Sequence, residues 1–151
     1  MLVPSQLHHV GYLVQDIETA ARDFSERLGY VVESDLVEDP VQTAFVKFLR
    51  QPNATSWLEL VMPNKAESKL SNALKRGVHL HHLCYETGDI DGACSHLQES
   101  GVLMICRPVA AVAFPGRKIA WFMDRAGLLM ELVEAGEGPL ALRSIHREKH
   151  P

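Results

Sequence analysis

The chain has 151 residues, 46% of them hydrophobic and 23% charged, a size and composition at which one domain buries about two-thirds of its unfolded surface without staples. Fifteen Lys and Arg against nineteen Asp and Glu give a net charge of -4, so no basic field gathers nucleic acid or anionic lipid. Apolar runs such as Val109 to Phe114 are too short to span a bilayer, and residues 1 to 14 lack the basic start and long apolar core of a secretory signal, so a cytoplasmic protein is expected.

Residues 7 to 14 are rich in Val, Leu and Tyr and read as a strand, followed by Asp16, a residue suited to capping a helix. Ile17, Ala20, Ala21, Phe24 and Leu28 then recur at helical spacing, and Gly29 stands where that helix would stop. Apolar runs over 30–37, 43–50 and 56–62 predict three strands, separated by Asp39-Pro40 and Gln51-Pro52-Asn53. Residues 64–79 read as a connector with a short polar helix ended by Gly77. A strand over 80–86 leads to Asp89, and Ile90, Ala93 and Leu97 predict a helix closed by Gly101. Strands follow over 102–109, 117–123 and 128–134, and residues 136–151 read as a tail, frayed from Pro139 onward.

The second half repeats the first. Shifted by 73 residues, Leu7-His8-His9-Val10-Gly11-Tyr12 falls on Leu80-His81-His82-Leu83-Cys84-Tyr85, and Asp16-Ile17 on Asp89-Ile90. After a slip of one residue, Trp57-Leu58-Glu59-Leu60-Val61 meets Leu129-Met130-Glu131-Leu132-Val133. Two copies at this spacing are a duplicated half-domain, not a solenoid. The expected fold is α+β: two βαβββ modules, about 6–63 and 80–135, in one domain spanning 1–151.

The repeat also duplicates chemistry, placing a His in the first strand and a Glu in the last strand of each copy: His9, Glu59, His82 and Glu131. By strand alternation Glu59 shares a face with Trp57 and Val61, and Glu131 with Leu129 and Val133. A carboxylate among such neighbours is costly to desolvate unless paired or metal-bound. Two His and two Glu suit one divalent metal ion, Co, Ni, Mn, Zn or Fe. Strict alternation would turn His8 away from His9 and His81 away from His82. The ligands are assigned to His9 and His82 because the residues two along on their face, Gly11 and Cys84, are small. His79, His96, His146 and His150 have no repeat partner and are expected in solvent. Cys84, Cys94 and Cys106 share no metal-binding spacing and are expected as buried thiols.

These modules resemble the vicinal oxygen chelate (glyoxalase/bleomycin resistance/dioxygenase) superfamily. Within it, His8-His9-Val10-Gly11, Glu59-Leu60-Val61-Met62-Pro63, His81-His82-Leu83-Cys84-Tyr85-Glu86 and Gly127-Leu128-Leu129-Met130-Glu131-Leu132 are most similar to the methylmalonyl-CoA epimerases. That resemblance implies a curved mixed sheet around a metal held by His9, Glu59, His82 and Glu131, and a homodimer. It also implies a small-molecule substrate, such as an acyl-CoA thioester, near Gly116-Arg117-Lys118-Ile119-Ala120-Trp121-Phe122. The implied activity is an isomerase working by a 1,2-proton shift through an enolate, with Glu131 as the base and Glu59 opposite. One bacterial epimerase places a second acid at the position of Thr43. The alternatives are a glyoxalase I type lactoylglutathione lyase and a non-catalytic, antibiotic-sequestering binding protein. The lyases carry an Arg four residues after the first metal His, where this chain has Leu13, and the sequestering proteins usually lack the metal set.

Overall fold

The computed structural model describes residues 5–136, and the tail expected from Pro139 lies outside them. The first module runs β1 (Ser5–Leu13), α1 (Ile17–Leu28), β2 (Val31–Val32), β3 (Val37–Asp39), β4 (Ala44–Arg50) and β5 (Trp57–Pro63). Helix α2 (Lys69–Lys75) connects it to β6 (Leu80–Thr87), α3 (Ile90–Glu99), β7 (Leu103–Ala110), β8 (Lys118–Met123) and β9 (Leu129–Glu134).

The helix boundaries follow from their caps. Asp16 accepts the backbone N–H of Thr19 and Asp89 that of Gly92, each satisfying a donor that the first turn leaves free. Gly29 closes α1 in the left-handed region at φ 71°, where a side chain would be strained.

One predicted strand divides in two. The run over 30–37 forms β2 and β3, because the hydroxyl of buried Ser34 takes the Phe48 N–H at 2.7 Å in place of a backbone carbonyl. The ladder that ends with Val31 on Arg50 and Val32 on Leu49 resumes only at Val37 on Val46.

The nine strands of the described residues join one mixed sheet in the order β2-β4-β5-β1-β6-β9-β8-β7, with β3 also on β4. Within each module the first and last strands lie side by side and parallel, β1 with β5 and β6 with β9. The modules meet within this one chain across the antiparallel β1–β6 pair. First and last strands of both copies therefore form a central block, β5-β1-β6-β9, and these strands carry His9, Glu59, His82 and Glu131.

Helix α1 packs Ile17 and Ala21 on Leu49 and Leu60, and α3 packs Ile90, Ala93 and Cys94 on Ala120, Phe122 and Leu132. A third cluster holds Leu13, Phe48, Val61, Cys84, Trp121 and Val133 with Leu70 of α2 and Phe114 of the β7–β8 link. Leu60 and Val61, adjacent in β5, fall in different clusters, so strand alternation separates the helix-covered face from the other.

Cys84 and Cys94 are buried and Cys106 is half-buried, contrary to the expectation for all three; Cys106 lies on β7, the edge of the sheet, where alternate residues meet solvent. Among the described residues no helix is long and apolar enough to cross a membrane.

Candidate metal centre

Strand register assembles the centre. Across β5-β1-β6-β9, one row of directly paired residues reads Trp57, His9, Cys84, Glu131, and the row beside it reads Glu59, Gly11, His82, Leu129. Each His thus faces a small residue of the other module, and each Glu flanks the small residue of its own module. The two rows are related by the pseudo-twofold of the repeat, so the four polar side chains converge from diagonal positions. Gly11 is required by this packing: a Cβ there would overlap the His82 ring.

All four side chains are buried, at 0% exposure for His9, 5% for Glu59, 1% for His82 and 3% for Glu131. His9 Nε2 lies 2.7 Å from Glu59 Oε2 and 3.2 Å from Glu131 Oε2, while His82 Nε2 lies 3.2 Å from each of the same oxygens. The two Nε2 atoms are 2.9 Å apart. Five of the six separations among these four atoms therefore lie between 2.7 and 3.2 Å, close enough for one small cation to meet all four. The sequence-predicted residues are thus brought together as a set that could hold one divalent cation.

Burial would push Glu59 and Glu131 up, but His9 and His82 outweigh it and hold both below the usual carboxylate range. For the histidines burial again acts in the opposite sense, and the two carboxylates override it, raising His9 to about 9 and His82 above its ordinary value. The cluster therefore favours two ionised carboxylates, which suits a hard or borderline cation.

His8 and His81 differ from expectation. The ladder gains an extra residue at His8, between Leu7 on Tyr85 and His9 on Cys84, and another at His81, between Leu80 on Tyr12 and His82 on Gly11. Each is a β-bulge that re-aims the extra side chain. His8 is consequently buried beside His9, with their Nδ1 atoms 2.8 Å apart, and His81 stands beside His82 with Nδ1 atoms 2.7 Å apart. Burial, then the neighbouring His9 or His82, lowers each of them to about 4. Duplication of the whole His-His pair was the sequence signal for this.

Aromatic rings wall the centre. Phe48 and Phe114 pack against His9, and Trp121 lies 4.9 Å from the His82 ring. Phe114, in the link between β7 and β8, is 2% exposed. A cavity of about 10 Å³ borders Glu59, Glu131, Asp39, Val46, Phe114 and Ile119. A larger one of about 230 Å³ opens beside His8, Trp57, Thr55, Glu86 and Arg117. Cys84 also lies within reach of His8 and His9, and burial, followed by Glu131 and Glu59, holds its thiol well above the ordinary value.

Thr43 closes the turn before β4 at φ 54°, with its hydroxyl on Ser68, and does not border the small cavity. Leu13 is wholly buried in the core. Of the histidines expected in solvent, His79 is exposed but stacks on Tyr12 and contacts the Leu13 carbonyl at 2.9 Å, and His96 is half-buried on α3. His146 and His150 lie outside the described residues.

The family profile described as glyoxalase/bleomycin resistance protein/dioxygenase superfamily matches residues 8–121. The chain belongs to that superfamily. Two curated relatives are both epimerases: the ethylmalonyl-CoA/methylmalonyl-CoA epimerase of Cereibacter sphaeroides, 29% identical over 131 residues (84% of this chain and 96% of the relative), and a 2-epi-5-epi-valiolone epimerase from an Actinomyces species, 26% identical over 150 residues (87% and 80%). Among solved structures, the methylmalonyl-CoA epimerase of Mycobacterium tuberculosis is 26% identical with a TM-score of 0.78, covering 91% of this chain and 94% of that one. The superfamily and the α+β fold expected from the sequence are the ones observed.

Proposed function

We propose that this chain is a metal-dependent epimerase that removes and returns a proton on a carbon α to a carbonyl, with an acyl-CoA thioester as the substrate class. The observation that carries this reading is the buried cluster of two imidazole nitrogens and two carboxylate oxygens, contributed in pseudo-symmetric pairs by the repeat. His9, Glu59, His82 and Glu131 would hold the cation. When bound, it supplies Lewis-acid stabilisation for the negative charge that grows on the substrate oxygen as the α-proton leaves.

The protein's own groups carry the proton. Glu131 is the base, since its carboxylate is held ionised at neutral pH and borders the small cavity. Glu59 borders that cavity too and stands in the repeat-related position, suited to the opposite face of the same carbon. Phe48, Phe114 and Trp121 keep water away from the developing enolate. Both curated relatives are epimerases, whose reaction returns the proton to the carbon that lost it. This favours that outcome over the 1,2-shift expected from the sequence. The Cereibacter relative and two ligand-bound epimerase structures concern acyl-CoA compounds, which motivates the substrate class.

A lactoylglutathione lyase is disfavoured by Leu13, where an Arg would have to charge a fully buried position. The homodimer implied by the resemblance belongs to the same reading and is tested by light scattering. Three unpaired thiols fit a reducing compartment such as the cytoplasm.

The test is solvent deuterium incorporation into racemic methylmalonyl-CoA and ethylmalonyl-CoA by protein loaded with Co, Ni, Mn, Zn or Fe(II), beside the hemithioacetal of methylglyoxal and glutathione. Metal-dependent exchange into a thioester is the expected result. Turnover of the hemithioacetal alone would overturn the substrate class, and full exchange by metal-free protein would overturn the metal.

A further inference from the structure

The repeat that duplicates the four candidate ligands also duplicates a second pair of imidazoles behind two of them. His8 Nδ1 lies 2.8 Å from His9 Nδ1, and His81 Nδ1 lies 2.7 Å from His82 Nδ1. Each pair meets edge to face, with ring planes at 75° and 84°. Both contacts depend on the β-bulges, since regular alternation would send adjacent side chains to opposite faces. His8 is further fixed between Trp57, with ring centroids 4.9 Å apart, and Phe114 at 5.4 Å.

Two Nδ1 atoms at hydrogen-bond distance share one proton, so one ring donates and the other accepts. The choice is constrained from the other side of the ligand ring. His9 Nε2 and His82 Nε2 both point into the cluster with Glu59 and Glu131. A neutral imidazole that offers its Nε2 lone pair to a cation carries its proton on Nδ1. His9 and His82 are then the donors, and His8 and His81 the acceptors. His8 in turn keeps its proton on Nε2, which faces Glu86 Oε2 at 3.9 Å.

We propose that His8 and His81 are positioning residues: each accepts the Nδ1–H of the next histidine, which fixes the tautomer and tilt of that ring and aims its Nε2 lone pair at the cluster. The assignment rests on the metal reading of that cluster. It concerns the metal-loaded cluster, in which all four rings are neutral, and which ring nitrogen of each carries the proton there. Outer hydrogen bonds of this kind raise ligand basicity, and losing one typically costs about 10- to 100-fold in metal affinity.

The experiment is calorimetric titration of metal-free protein with Co(II), together with the visible absorption of the Co(II) complex. His8→Leu and His81→Leu remove the acceptor while keeping an apolar filler. Each is expected to weaken Co(II) by about 10- to 100-fold and to shift the absorption bands. His8→Asn and His81→Asn put an amide oxygen near the place of Nδ1 and are expected to recover most of the affinity and the wild-type bands. Circular dichroism and thermal melting report folding for every variant. Wild-type protein that binds no Co(II) would refute the metal reading itself. If wild type binds, folded Leu variants of unchanged affinity, or Asn variants as weak as the Leu ones, overturn the positioning role.

Discussion

Gly11 pairs with His82 across the β1–β6 ladder, and the imidazole fills the space that a Cβ on Gly11 would need. The repeat-related position is Cys84, which pairs with His9 and does hold a side chain. The pseudo-symmetry is therefore broken at the two small residues. Gly11→Ala is expected to push the His82 ring out of the cluster, with an overpacking cost of about 1–3 kcal/mol and loss of bound metal. Cys84→Ala, which adds no atom, should keep the metal. Thermal melts and metal analysis of both variants check this, and a Gly11→Ala protein with a full metal complement would disprove it.

Removing a ligand should separate metal binding from folding. His9→Ala and His82→Ala each take away one buried nitrogen and are expected to lose most of the approximately one divalent ion per chain, while circular dichroism still reports the mixed fold. Full retention of metal in both variants would count against the cluster as the binding site.

Much of this was legible because the signals are local or repeated. Asp16, Gly29 and Asp89 mark helix ends through bonds to residues within five positions, and the duplicated His and Glu show which polar residues both modules keep in their strands. The unread features depend on partners distant in sequence. The bulges at His8 and His81 exist only in the register between two modules, so alternation along one strand placed both residues on the wrong face. Ser34 splits a strand through a bond to Phe48, and Phe114 is a buried wall because a link between strands folds back onto His9.

Proton transfer should depend on Glu131 beyond metal binding. Glu131→Gln keeps a carbonyl oxygen near both histidines and should retain much of the metal. It lacks a base and is expected to slow α-proton exchange by about 10²- to 10⁴-fold. Deuterium incorporation measured by mass spectrometry at matched metal occupancy gives the comparison, and near-normal exchange would remove Glu131 from the reaction.

Stability of the metal-free protein should fall on both sides of neutrality. His9 is raised to about 9 from an ordinary 6.5. A raised value contributes stability that is complete below 6.5 and is lost as pH climbs through 9. His8 and His81, lowered to about 4, act oppositely: between 6.5 and 4 the unfolded chain takes up protons that the folded one refuses, so stability drops as pH falls. Urea midpoints of metal-free protein are therefore expected to peak near about pH 6.5. Because metal competes with the His9 proton, Co(II) affinity should also rise with pH up to about 9. A flat stability profile over this range would contradict the assignment.

Access to the cluster should require the β7–β8 link to move. Phe114, 2% exposed, stacks on His9, and the cavity it shares with Glu59 and Glu131 measures about 10 Å³, enough for about one water molecule. A thioester α-carbon and its substituents cannot reach Glu131 through that space. The link is held by backbone bonds from Ala111 to Arg117 and from Arg117 to Phe114, fewer than the ladder that fixes β8 to β9. Its opening should therefore cost less than unfolding the sheet. Hydrogen exchange is expected to be faster at residues 111–114 than at 119–123, and to slow there when an acyl-CoA substrate or unreactive analogue saturates the metal-loaded protein. Phe114→Ala should reduce stability by about 3–5 kcal/mol and lower the KM by removing the ring that must be displaced. Unchanged protection at 111–114 on saturation would mean that substrate enters by another route.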